Sequence, residues 1–170
     1  MFKINDNVLY GMEGVCKIAE ITEKNLGNKR MKYFVLKPIY KDNSTVFVPA
    51  DNEALAAKMR RVLSEDEIYE IIRAIPDDEP IWIDDENTRK CVYKEILSNG
   101  DRRELSRLIK TLYLHRDEQE EKGKKLHLSD ERFLKDAEST LYNEFALVLE
   151  MKPEQVLPFI KKQISLSEEQ

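Results

Sequence analysis

Long apolar runs are missing: the chain has no stretch of about 18 hydrophobic residues, the length a membrane-spanning helix needs. Its opening, MFKINDNV, lacks a basic region followed by an apolar one, so neither an anchor nor a secretory leader is expected, and the protein is expected in the cytoplasm. Cysteine is scarce. Cys16 and Cys91 stand far apart in stretches of different pattern, which disfavours a disulfide and predicts two reduced, buried thiols. The two histidines, His115 and His127, have no Cys or His at ligand spacing, and neither a G-x-S-x-G elbow nor a phosphate-binding glycine loop occurs. Cys91 as a nucleophile has no base that the sequence identifies. The chain is therefore expected to be no enzyme and to need no cofactor.

Charge is plentiful, at 36% of 170 residues, with a net value of −5. Much of the molecule should be helix surface facing water. The signs are unevenly placed: residues 77 to 86, DDEPIWIDDE, hold six acids and no base. Residues 88 to 111 hold seven bases (Arg89, Lys90, Lys94, Arg102, Arg103, Arg107 and Lys110) against three acids. An acidic chain does not coat nucleic acid indiscriminately, but a local basic face can sit on phosphate. The bland alternative is a solvated helix face with local ion pairs. Asp77, Asp78, Glu79, Asp84, Asp85 and Glu86 offer clustered oxygens of the kind a hard cation takes. They match no calcium-loop spacing, and the last three stand where a helix N-terminus attracts negative charge, so no metal site is expected.

The pattern changes along the chain from period two to helical, which favours two domains, 1–55 and 56–170. In NVLYGMEGVCKIAEI, Val8 and Tyr10, then Val15, Ile18 and Ile21, mark two strands around Gly11 and Gly14. KNLGNKR has turn composition, and MKYFVLKPIY gives a third strand with Tyr33, Val35 and Lys37 on one face and Phe34 and Leu36 on the other. STVFVP adds a fourth strand, ending at Pro49. So few short strands bury a core by curling, so a small SH3-like or Tudor-like barrel is predicted.

The remainder reads as an all-α bundle, making the fold class α+β. Ser64 and Glu67 form a capping box ahead of Ile68, Ile71, Ile72 and Ile75, and Pro76 ends that helix. A second helix is predicted from Asp85 to Ser98, stopped at Asn99-Gly100. Asp101 and Glu104 open a third, with Leu105, Leu108, Ile109 and Leu112 inward, ending near Gly123. Ser129 is predicted to cap a fourth carrying Phe133, Leu134, Ala137, Leu141, Phe145 and Val148, and Pro153 to open a fifth through Ile164 that bends at Pro158. EALAAKMRRVL, between the halves, reads as a short helix or an extended linker.

Taken in order and spacing, FKINDNVLYGMEGVCKI, YFVLK, VFVPADN, SNGDRRELSRLIKTLY and LSDERFLKDAESTLYNEFALVL resemble the CarD family of bacterial transcription regulators. The resemblance spans nearly the whole chain. It implies an N-terminal Tudor-like domain, akin to the polymerase-interacting module of the transcription-repair coupling factor, that docks on the RNA polymerase β subunit. Lys24, Lys32 and Phe47 would lie on that surface. It also implies a helical domain that reaches promoter DNA, with Trp82 as a minor-groove wedge at the upstream edge of the melted region and Arg89, Lys90, Lys94, Arg102 and Arg103 on phosphate. The protein would act as a monomer. Two positions depart from the family pattern: Phe47 stands where relatives often carry a base, and Trp82 is followed by Ile83, Asp84, Asp85 and Glu86 instead of bases. An indole suits a wedge, since a large flat surface offsets unstacking of a few kcal/mol. It equally suits burial between Ile81 and Ile83. A protein-interaction adaptor whose helical domain never meets DNA is the second reading, and a metal enzyme using the acidic loop a remoter third.

Overall fold

A computed structural model describes residues 2–168. Its contacts divide the chain between Val62 and Leu63. The first unit holds strands β1 (Asn7–Tyr10), β2 (Val15–Leu26), β3 (Lys29–Pro38) and β4 (Val46–Pro49), one helical turn α1 (Glu53–Ala56), and β5 (Met59–Arg61). EALAAKMRRVL is therefore a helical turn followed by a strand of the sheet, and not a linker. Asn52 caps α1 through Leu55 N–H, and Met59–Arg61 pairs antiparallel with β1, which carries the unit beyond residue 55.

The strands form one antiparallel sheet in the order β4-β3-β2-β1-β5. Among the described residues no ladder joins β4 to β5, so the sheet is open where a closed barrel was predicted. Its core is Val8, Cys16, Ile18, Leu36, Val48 and Met59, with Leu55 of α1 packed against it. The predicted faces of β3 match the register, in which Leu36 opposes Ile18 and Phe34 opposes Ile21. Ile18 and Ile21 are three apart and would point to opposite faces of a regular strand. A bulge between Ile18 and Glu20 inserts the extra residue that returns both to one side. KNLGNKR is mostly strand. Only Gly27 and Asn28 lie outside the ladder, and Gly27 holds φ 66°, the left-handed conformation a two-residue hairpin demands.

The second unit packs α2 (Glu65–Ala74), α3 (Glu86–Asn99), α4 (Arg102–Glu121), α5 (Leu128–Leu149) and α6 (Pro153–Glu168) around one core. The Ser64 capping box forms in full, with Ser64 Oγ accepting from Glu67 N–H and Glu67 accepting from Ser64 N–H. Asp85 and Asp101 cap α3 and α4, and Gly100 ends α3 at φ 72°. Leu105, Leu108, Leu112, Leu141 and Phe145 are fully buried, as their helical spacing predicts. Two readings are corrected. Helix α5 starts at Leu128, so Ser129 lies in its first turn and His127 takes the cap position without a side-chain bond. Cys91 is exposed, because Arg89, Tyr93, Ile96 and Leu97 take the inward face of α3; Cys16 alone is buried, its thiol pushed up to about 12, chiefly by burial. Helix α6 runs on past Ile164 with Pro158 inside it. Among the described residues no helix is long and apolar enough to cross a membrane.

Candidate functional site

Between a 3-10 turn, Ile75–Asp77, and α3 the chain has no regular structure, yet several of its polar groups are bonded to the helices around it. Ile81 N–H donates to Thr111 Oγ1 (2.8 Å) of α4, and Tyr93 O–H of α3 donates to Ile81 carbonyl (2.7 Å). Arg89 Nη1 donates to the carbonyls of Ile83 (3.0 Å) and Asp84 (3.4 Å). Trp82 sits in the middle of this tethered segment. Its ring stacks on the His115 imidazole at 3.7 Å between centroids, the Arg89 guanidinium lies 4.5 Å from its centroid, and its Nε1–H donates to Asp84 Oδ1 (2.9 Å). Trp82 is half-buried and packs on the helical core.

The basic residues of 88–111 separate into distinct roles. Arg89 is buried, and its Nε and Nη2 bond both oxygens of Asp130 on α5 at 3.0 and 3.1 Å, with side-chain exposures of 3% and 0%. Arg102 is also buried, and it pairs with both oxygens of Glu144, which further accepts from Leu63 N–H. Lys110 donates to the carbonyls of Ile75, Pro76 and Asp78, closing the end of the 3-10 turn. Arg107 bonds Glu104 and the Glu79 carbonyl. On the surface, Lys90 pairs with Glu86 at 3.2 Å, and Arg103, 61% exposed, pairs with Asp78 at 2.9 Å. Lys94 is exposed, with no ion-pair partner among the described residues. Much of the local positive charge therefore neutralises carboxylates and backbone carbonyls within the bundle.

Several residues at the site escaped the sequence reading. His115 seemed isolated but lies under Trp82; desolvation holds its pKa below the ordinary 6.5, with Arg89 and His127 lowering it further and Glu118 and Asp130 opposing. Tyr93 and Thr111 anchor the segment directly, and Asp130 on a third helix holds the Arg89 that bonds it, a relation no local pattern encodes. Lys122, Lys124 and Lys125, in the α4–α5 connection, are exposed and carry no ion pair among the described residues; the run KGKK was the available signal. His127, at the end of that connection, is near enough for its charge to lower the pKa of both Glu86 and His115. Asp85 is lowered as well, first by the Thr88 hydroxyl and then by Thr88 N–H, as an N-cap carboxylate should be. Among the described residues no group of three His, Cys, Asp or Glu is placed to hold a metal.

On the sheet unit, Lys24 Nζ lies 4.1 Å over the Phe47 ring, and Tyr33 meets the same ring edge-on at 6.5 Å. Phe47 is 46% exposed on the edge strand β4. The register puts Lys24 opposite Met31 and Phe47 opposite Val35, all on one face, whereas Lys32 opposes Glu23 on the other. The structure thus brings Lys24 and Phe47 together and separates Lys32 from them.

A sheet unit with an exposed aromatic and lysine on one face, followed by a helical unit that holds one tethered, half-buried tryptophan, makes this a two-unit α+β protein. The chain belongs to the CarD family: residues 2–63 match the CarD-like/TRCF RID domain and residues 67–161 the CarD C-terminal domain. It is accordingly a transcription regulator that binds RNA polymerase. No curated protein matches the chain.

Proposed function

We propose that this protein docks as a monomer on the polymerase β subunit through its sheet unit and stabilises the promoter open complex by placing Trp82 in the minor groove at the upstream edge of the melted region. The observation that carries the reading is the Trp82 segment: an irregular loop whose backbone is tied to α3 and α4, with its indole supported at the surface. A wedge must arrive rigid, because ordering it at the moment of binding would consume part of the gain from the new contacts. The effect on transcription follows from differential affinity. A ligand that binds the open complex better than the closed one shifts their equilibrium by that difference and by nothing else.

Phosphate contact falls to the exposed cations. Lys94, Lys90 and Arg103 are available or only surface-paired, and Lys122, Lys124 and Lys125 add a further group. Arg89 and Arg102 support the fold from inside. On the polymerase side, Lys24 and Phe47 supply an apolar contact with a cation attached, in place of a purely ionic one. The decisive experiment compares open-complex lifetime with wild-type and Trp82→Ala protein, alongside polymerase pull-down. A shorter lifetime with polymerase binding retained supports the proposal; an unchanged lifetime removes Trp82 from it.

The adaptor reading keeps one specific observation in its favour, the acids Asp84, Asp85 and Glu86 one residue beyond Trp82, which repel phosphate. DNA crosslinking from a probe at residue 94 separates the two, because an adaptor leaves the promoter unlabelled.

A further inference from the structure

Arg89 and Asp130 occupy an unusual position for a buried ion pair. A buried guanidinium must find acceptors for the N–H groups its carboxylate leaves free, and Arg89 finds them on the carbonyls of a third segment, the one that carries Trp82. Here the Arg89 guanidinium does three things at once: it binds both oxygens of Asp130 on α5, donates to the carbonyls of Ile83 and Asp84, and lies 4.5 Å from the Trp82 ring centroid. The two carbonyls it holds belong to the residues that directly follow Trp82 in the chain. Its planar fork makes this possible, since a lysine ammonium cannot serve a bidentate carboxylate and a carbonyl in fixed directions together. Asp130 in turn fixes the plane of the guanidinium, and with 0% exposure it has no solvent alternative.

We infer that Arg89 and Asp130 are positioning residues for Trp82, setting the direction in which the indole is presented to its partner. This rests on the reading of Trp82 as the element that meets DNA, but it makes its own claim about the free protein. With the pair intact, the loop carbonyls at 83 and 84 are held and the indole keeps its place on His115. Without it, Tyr93 and Thr111 still hold Ile81, so the segment remains attached while Trp82 loses its register. Precise support of a contact group by a second layer is what separates a site that is present from one that works.

Trp82 is the only tryptophan in the chain, so its intrinsic fluorescence reports this geometry directly. The test uses full-length Arg89→Met/Asp130→Leu, because replacing a buried pair by apolar residues of similar size is commonly neutral or stabilising for the fold. Arg89→Lys, which retains a cation facing Asp130, is the second variant. Both are expected to keep the cooperative melt, to show stronger acrylamide quenching of Trp82 and a weaker near-ultraviolet indole band, and to shorten the open-complex lifetime on the order of two- to tenfold. Adding either to Trp82→Ala should shorten it no further. A folded variant, of either kind, whose Trp82 quenching equals that of the wild type overturns the inference. Increased quenching with a lifetime indifferent to Trp82→Ala upholds the positioning pair and overturns the wedge.

Discussion

The imidazole beneath Trp82 gives the site a proton sensitivity of known sign. Burial is the first cause that depresses the His115 pKa below 6.5, with the positive charges of Arg89 and His127 adding to it and Glu118 and Asp130 opposing. A base whose folded pKa lies under its unfolded value binds its proton first in the unfolded chain. Its contribution to stability is therefore complete above 6.5 and is lost as pH falls from there through the folded value. Thermal melts on either side of 6.5 should show the helical unit weakening on the acid side, and His115→Phe, which keeps the stacked ring, should flatten that dependence. On the sheet unit, Phe47→Ala should weaken polymerase pull-down by removing the ring that Lys24 and Tyr33 both address. Lys32→Ala, on the opposite face, should affect it less.

At the level of elements, the helical unit depends on groups that tie one segment to another. Glu144 of α5 is fully buried, holds Arg102 of α4 with both oxygens, and accepts from Leu63 N–H at the start of the unit. Glu144→Ala leaves a buried guanidinium without its counter-charge, and the expected loss is roughly 3–5 kcal/mol in urea unfolding. A result near zero would mean that water reaches Arg102. The α2 capping box makes a smaller, local contribution. Ser64→Ala should cost about 1 kcal/mol, while Ser64→Asp, which can still accept from Glu67 N–H, should cost much less.

For the whole molecule, the proposal divides labour between two units, each with its own core. One provides the tether and the other the contact that distinguishes the open complex. Removing residues 1–62 should therefore abolish polymerase pull-down, whereas Trp82→Ala should not. With a net charge of −5, DNA contact must come from a restricted basic surface, so promoter affinity should depend only modestly on salt. Each lysine on phosphate steepens that dependence by about 0.9 in the logarithmic slope, so Lys94→Ala should reduce the slope by about that amount. A slope unchanged by Lys94→Ala and by alanine at Lys122, Lys124 and Lys125 would favour the adaptor.

Capping boxes, leucine spacing and glycine stops are local, and the sequence alone determined most helices, the faces of β3 and a change of pattern, which it placed at residue 55 where the structure divides at 62. Motif order along the chain also determined its family. What it could not determine were relations between residues far apart in number. Period-two reading cannot see a bulge, because the extra residue only makes sense against the partner strand that fixes the register. Closure of the sheet depends likewise on whether β4 and β5 meet, and no local pattern says so. Arg89 and Arg102 look in sequence like any surface base; what buries them are Asp130 and Glu144 on another helix. His115 meets Trp82 only because α4 passes beneath the loop. Local interactions decide which elements form, and the sequence carries them. Whether a charge is spent inside the protein or remains for a partner depends on which elements pack together, so only the tertiary structure decided it.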